Sequence, residues 1–399
     1  MSTEPRTETA GWAERAVQQA DTDASSDLGH RPGTEHADRE QQVLDRIDRA
    51  RRRKPKVKDE NITLAHGAGG KATQTLVQAI FLEEFRNPLL EQLEDQATFA
   101  VESAEDSTES ARMAFTTDSF VVSPLFFPGG DIGDLAVNGT VNDLAMSGAR
   151  PQYLSAGFIL EEGLPVDDLR RIVRSMARAA EEAGVQVVTG DTKVVQRGKA
   201  DGCYINTAGV GVVDHRLKLG ADTVQPGDAV LVSGPIGDHG ITIMLSRGEL
   251  DIESDIESDT APLSGLVETL LGKAKAIRCM RDATRGGVAT ILNEVAQASE
   301  VAVVVDEDTV PVRTEVRGAS EILGIDPLYV ACEGRLVAVV DGDEAQAALE
   351  AMRAHPLGRD AAIVGRVKDD PPTLVLLKTE FGGTRIVDTL IGDPLPRIC

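Results

Sequence analysis

From Asn61 onward, short apolar runs of strand character alternate with longer runs of helical period, and a chain patterned this way closes as mixed sheet covered by helices. The strand-like runs are RMAFTTDSFVV, PQYLSAGFIL, VQVVTG and CYINTAGVGVV in one half, then DAVLVSGPIG, VAVVVDEDTVPV, GRLVAVVDG, AAIVGRVK and TLVLLKT in the other. The clearest helix is PVDDLRRIVRSMARAAEEAG, where Leu169, Ile172, Val173, Met176, Ala177 and Ala180 recur at helical spacing and predict one core-facing stripe. Pro165 suits its first turn and Gly184 its stop. The expectation is an α/β fold of mixed sheets in two lobes, residues 59–213 and 214–388, followed by a mobile tail over 389–399.

Residues 1–58 are rich in Asp, Glu, Gln, Arg and Ser. They carry too few large apolar groups to offset the entropy of ordering, so a disordered extension is expected there. ESAEDSTES (102–110) and DIESDIESDTAP (251–262) read as solvated loops, because their carboxylates are costly to bury. A formal charge of −24 repels nucleic acid on average. No apolar stretch approaches a membrane span, and the N-terminal residues lack the apolar core of a secretion signal. The four cysteines, Cys203, Cys279, Cys332 and Cys399, are too scattered for a disulfide scaffold, which favours a reducing cytoplasm.

Several short segments carry polar groups at element ends. HGAGGKA offers the amides of Gly67, Gly69 and Gly70, with Lys71, as a phosphate cradle before a helix. TTDS sets Asp118 at a strand end. NGTVNDLAMSGA sets Asn138 and Asn142 one helical turn apart with Asp143 beside them, and VTGDTK sets Asp191 after a strand. Mg²⁺ nucleotides need a few carboxylates besides their own phosphates and water, which makes Asp118, Asp143 and Asp191 the candidate metal set. RDATRGG groups Asp282, Thr284 and Arg285 as a seat for a small anion, and ACEGRL places Glu333 before a strand. The last residue, Cys399, follows a Pro-punctuated DPLPRI and looks presented rather than packed.

HGAGG, the long TTDSFVVSPLFFPGGDIGDLAVNGTVNDLAMSGA, GDTKVV, RDATRGGVATILNE, EGRL and terminal PRIC together resemble the HypE family of hydrogenase maturation proteins. These are carbamoyl dehydratases of the superfamily that includes aminoimidazole ribonucleotide synthetase. The resemblance runs from about Asn61 to Cys399. It implies the two-lobe architecture of that superfamily, ATP and Mg²⁺ as cofactors, and a homodimer with nucleotide sites near the subunit interface. It also implies that a HypF carbamoyltransferase loads the Cys399 thiol, that ATP drives dehydration to a thiocyanate, and that cyanide passes to iron on a HypC–HypD complex. Glu333 and Lys193 match the family's proposed base pair, and Arg285 is assigned to the carbamoyl phosphate. Asp118, Asn138, Asn142, Asp143 and Asp191 form the nucleotide set. The chain departs from the family at the N-terminal extension, at residues 102–110, and at Cys332, where many relatives carry Asn. Two other readings stay open: another ATP enzyme of the superfamily, such as thiamine monophosphate kinase, and a non-catalytic assembly scaffold.

Overall fold

A computed structural model describes residues 56–101, 111–214, 216–248, 254–390 and 397–399. All but the last three residues of the expected extension, and the whole of 102–110, lie outside the described residues. So do 391–396 of the tail.

The first half supplies strands β1 (Ala97–Val101) and β2 (Ala111–Phe120), a two-residue ribbon β3 (Phe126–Phe127) and β4 (Gly130–Asp131), then β5 (Ala149–Glu161), β6 (Gln186–Val195) and β7 (Cys203–Val213). Its helices are α1 (Lys71–Leu76), α2 (Ile132–Met146) and α3 (Val166–Ala183). Five strands form one mixed sheet in the order β1-β2-β7-β5-β6. Side chains alternate across a strand, and β7 shows it: Cys203, Ile205, Thr207 and Gly209 are buried, while their neighbours are partly or fully exposed. The inward face packs on α2. A β-carbon at Gly209 would lie 2.9 Å from Leu144, Leu154 and Thr140, so glycine lets helix and strand approach.

Helix α3 follows the predicted bounds, closing on Gly184 at φ 69. Its stripe differs from the expected one. Ile172, Ser175, Met176, Ala179 and Ala180 are buried, whereas Val173 and Ala177 face solvent. Ser175 belongs inside because its hydroxyl donates to Asp134 at 3.2 Å, a partner that a reading of apolar spacing alone does not supply.

The second half forms a seven-stranded sheet, β14-β13-β10-β12-β8-β11-β9, from β8 (Ala229–Val232), β9 (Ile277–Asp282), β10 (Ala302–Asp306), β11 (Leu336–Val340), β12 (Ala362–Lys368), β13 (Val375–Lys378) and β14 (Thr384–Val387). The helices are α4 (Asp238–Ser246), α5 (Ser264–Lys273), α6 (Gly287–Ala298), α7 (Thr314–Leu323) and α8 (Ala345–Arg353). Every residue of β11 is buried, because one core forms on each side of it. Leu266, Leu270, Leu349 and Met352 of α5 and α8 line one core, and Val288, Leu292 and Val295 of α6 line the other.

The acidic stretch at 251–262 departs only in part from its expectation as a solvated loop: 251–253 lie outside the described residues, and Asp255 and Glu257 are exposed as expected. From Ser254 onward it is a strap whose Ile256 is buried and whose Asp259 side chain is 1% exposed, running into buried Leu263. Burying that carboxylate is offset by the Glu333 amide, which donates to it at 3.0 Å, and by Arg335 at 3.5 Å. Ser258 N–H donates to the Pro128 carbonyl at 2.9 Å, tying the strap to the β3–β4 ribbon.

Candidate active site

Cys399 is packed, not presented. It is 5% exposed and shares a core with Phe120, Val122, Ile256, Val330 and Ile398. The chain end is also hydrogen bonded as an extension of β2: Val121 N–H donates to the Cys399 oxygen at 3.1 Å and Ser123 N–H to the Arg397 carbonyl at 3.2 Å. Arg285 closes the site, its Nε donating to the Cys399 sulfur at 2.8 Å and its Nη2 to the Cys399 oxygen at 3.3 Å. Its Nη1 donates to the Gly67 carbonyl at 2.7 Å.

Burial pushes the Cys399 thiol up to about 12, outweighing Arg285, with Glu333 and Asp118 adding to the rise. Arg397, two residues before the thiol, pairs with Asp201. A thiol docked this way is protonated and a poor nucleophile.

Asp118 and Glu333 act on the thiol, and Asp143 and Asp282 act with them as a cluster drawn from four segments. Asp118 lies near the end of β2 against Gly139 of α2; Asp143 follows one turn on and accepts from the Thr116 hydroxyl at 2.7 Å. Asp282 ends β9, and Glu333 sits before β11 with 2% exposure. Burial raises the pKa of all four, and they raise one another: Asp282, Asp95 and Asp118 act on Asp143, and Asp282, Asp118 and Asp259 act on Glu333. One oxygen each of Asp95, Asp282 and Glu333 is buried without a hydrogen-bond partner. Mutual repulsion and orphaned oxygens are what a cation would relieve, so the residues fit Mg²⁺. Among the described residues no three His, Cys, Asp or Glu side chains close tightly enough to grip an ion by themselves. Mg²⁺ takes few carboxylates and completes its shell with water and phosphate oxygens, so these residues would hold it only together with a bound nucleotide.

The other expected site residues fall into three groups. Asn142 is engaged by main chain: its amide donates to the Ala261 and Glu333 carbonyls at 3.1 and 3.2 Å and its oxygen accepts from Leu263 N–H at 2.7 Å, so it ties the strap to Glu333. Asn138 donates to Thr260 at 3.1 Å but keeps a buried, unpartnered oxygen. In the Gly-rich turn, Gly69 N–H is taken by Thr73 and Lys71 N–H by the Leu390 carbonyl, and the Lys71 ammonium pairs with Asp388 at 2.5 Å. The turn seats Arg285 and the root of the tail: a β-carbon at Gly69 would meet Arg285 at 2.7 Å and one at Gly70 the Leu390 carbonyl at 2.4 Å. With the chain end, it lines a cavity of about 130 Å³ that includes Gly67, Ala68, Arg285, Tyr329 and Ile398.

Asp191 and Lys193 stand apart. They lie within β6, an edge strand exposed on both faces, and bond to each other at 2.8 and 2.5 Å with both side chains 69% exposed. The Lys193 hydrogen bond holds the Asp191 carboxyl below its ordinary value. In register, Asp191 sits beside Gly157 and Asn206, on the sheet face opposite Asp118.

Sequence reasoning missed Asp95, Asp259 and His239. Asp95 packs against Arg281 at 2.5 Å, a pairing across the fold that no local pattern announces. The one signal for Asp259 was Ile256, an apolar residue inside an acidic run.

The two mixed sheets correspond to the two domains of AIR synthase related proteins. The chain matches the N-terminal domain of that class over residues 94–213 and the C-terminal domain over 225–376. It is 54% identical over 343 residues to the carbamoyl dehydratase HypE of Azotobacter vinelandii, covering 86% of this chain and 98% of the relative. Among solved structures, HypE in complex with ATP superposes with a TM-score of 0.70 at 46% identity, covering 85% of this chain and all of that one. A HypE–HypF complex gives 0.73 at 48%, covering 79% and 99%. The chain therefore belongs to the HypE family of hydrogenase maturation proteins, and it is an enzyme, a carbamoyl dehydratase.

Proposed function

We propose that the protein dehydrates a carbamoyl group carried as a thiocarbamate on the Cys399 sulfur, using ATP, to leave a thiocyanate whose cyanide becomes a ligand of the iron in nickel-iron hydrogenase. The observation that carries this reading is the seat of Cys399: its sulfur meets Arg285 at 2.8 Å beside Asp118 and Glu333, buried carboxyls whose pKa burial raises. The carbamoyl oxygen attacks the terminal phosphorus of ATP and ADP leaves. The nitrogen then gives up two protons, and the oxygen departs with phosphate as the carbon–nitrogen triple bond forms.

Arg285 orients the carbamoyl oxygen and balances charge on it. Asp118 and Asp143, with Asp282 beside them, would hold Mg²⁺ only jointly with the nucleotide's phosphates and water, and the ion would supply charge neutralisation there. Glu333 is the base nearest the thiol. Burial, then Asp282 and Asp118, raises its pKa, which suits a group that takes a proton from nitrogen. The docked thiol is too poor a nucleophile to be loaded in place, so HypF takes the tail in an undocked position. Seven residues after Gly392 span on the order of 20 Å when extended. Cyanide transfer to a HypC–HypD complex uses the same excursion.

The second residue of the base pair, Lys193, reaches a site only from a neighbouring chain. The outer face of the five-stranded sheet supports a homodimer: Phe115, Tyr153, Ile159 and Val212 are each at least 37% exposed there, an apolar area that a second copy would cover. On this reading residues 59–213 bind ATP and dimerise, 214–388 form the second lobe, and 389–399 carry the thiol, all in the cytoplasm.

Mass spectrometry of carbamoyl-loaded protein given Mg²⁺ and ATP tests the reaction. The C-terminal peptide is expected to lose one water. An unchanged mass with ATP bound would overturn the dehydratase chemistry in favour of a scaffold.

A further inference from the structure

His239 lies at the start of α4, between the strap and the chain end, and no part of the chemistry above uses it. Its ring is completely buried and stacks edge-on against Phe127 with centroids 5.7 Å apart. Nε2 lies 2.6 Å from the Ile398 carbonyl and Nδ1 lies 2.8 Å from the Ser258 hydroxyl. A carbonyl only accepts, so Nε2 carries the proton and Nδ1 accepts from Ser258. The Ser258 oxygen in turn accepts from Thr260 N–H at 3.2 Å, which leaves its own proton for the ring. The chain Thr260, Ser258, His239, Ile398 is thus a directed relay of hydrogen bonds, each donor matched to one acceptor. Burial drives the ring down to about 4, which keeps it neutral and the relay intact at cellular pH.

The next residue of the strap, Asp259, accepts from the Glu333 amide at 3.0 Å, while Asn138 and Asn142 of α2 hold Thr260, Ala261 and Leu263. One short segment therefore touches the seat of the tail through Ser258 and the seat of the base through Asp259. On the tail side Arg397 is held at φ 55, a left-handed conformation unfavourable for a residue with a side chain. Its carbonyl is pinned by Ser123 N–H and, at 2.9 Å, by Arg247. A conformation of that kind persists only where contacts hold it.

We propose that His239, oriented by Ser258, is a positioning residue that latches the docked chain end, and that the strap ties this latch to the placement of Glu333. The inference rests on the dehydratase reading for what docking serves, not for whether docking occurs.

The test needs neither ATP nor a carbamoyl donor, so its outcome is independent of that reading. Full-length protein is treated with iodoacetamide and alkylation is followed peptide by peptide, with buried Cys279 and Cys332 as internal standards of folding. Cys399 in the unaltered protein is expected to react far more slowly than in the free C-terminal peptide; equal rates would overturn the proposal. His239→Leu removes the donor and is expected to raise the Cys399 rate about tenfold, with the two standards unchanged. His239→Gln, which keeps an N–H donor, is expected to stay within about twofold of the unaltered protein. An unchanged Cys399 rate in the leucine variant, or equal rates in both variants, would overturn the latch. Should the leucine variant expose all the thiols, Ser258→Ala decides: a rise of about threefold supports the latch, and no change overturns it.

Discussion

The pocket around Cys399 and the outer face of the five-stranded sheet share strand β2 and differ in almost every other respect. In the pocket, polar groups are buried and raise one another's pKa, and orphaned oxygens remain even after the strap, α2 and the chain end have closed over them. On the outer face, a mutually paired Asp191 and Lys193 and several large apolar side chains stand uncovered in solvent. The lesson is that the two regions are incomplete in different ways. The pocket lacks charge that a small ligand supplies, whereas the face lacks cover that only a macromolecule supplies.

The largest expected effect joins the two. Glu333→Gln and Lys193→Ala are each expected to reduce dehydration of the loaded thiol by about 10² to 10⁴ while leaving ATP binding in place. If the face brings Lys193 of one copy to the pocket of another, a mixture in which the two variants exchange subunits regains part of the activity. Should subunit exchange be complete and no activity return, the pocket draws on its own chain alone and the comparison breaks.

Tyr153→Asp tests the face without touching the pocket. Tyr153 lies in register with Val210, and Val210 with Phe115, so a carboxylate there meets apolar neighbours on any surface that covers them. If this face joins two copies, sedimentation is expected to show dimer for the unaltered chain and monomer for the variant, with little loss of melting temperature, since the residue is 46% exposed. An unchanged dimer would move the interface elsewhere.

This division also explains what the sequence disclosed. Strands β2, β5 and β7 and helix α3 were legible because local period fixes them. Asp118, Asp143 and Glu333 were legible because each sits in a short motif at or near an element end. Asp259 was not, since a run of Ser, Asp and Glu looks soluble until Arg335 and the Glu333 amide arrive from distant segments to bury it. Asn142 was legible by spacing on its helix face, yet only the fold reveals that three main-chain groups bond its amide. The docked position of Cys399 was the least legible, because Val121, His239 and Arg285 come from three separate stretches of chain.

The smallest expected effect concerns pH. Asp134, at the start of α2 beside the strap, is pushed up to about 7 from 3.8 by burial and then by Asp131, against the amides and the Ser175 hydroxyl that favour its charged form. A carboxyl raised in the folded state contributes stability that is fully present below 3.8 and is lost as pH rises through about 7, because the unfolded chain gives up the proton first. Asp134→Asn cannot ionise and can still accept from Asp131 N–H and Ser175. Its melting temperature relative to the unaltered protein is therefore expected to climb by about 2–4 °C between pH 5 and pH 8. Asp191→Asn, on the open face, is expected to show no such trend, since an exposed carboxylate paired with Lys193 is already charged and solvated across that range. Parallel slopes for the two variants would mean that the pocket side holds its protons no more firmly than the open face does.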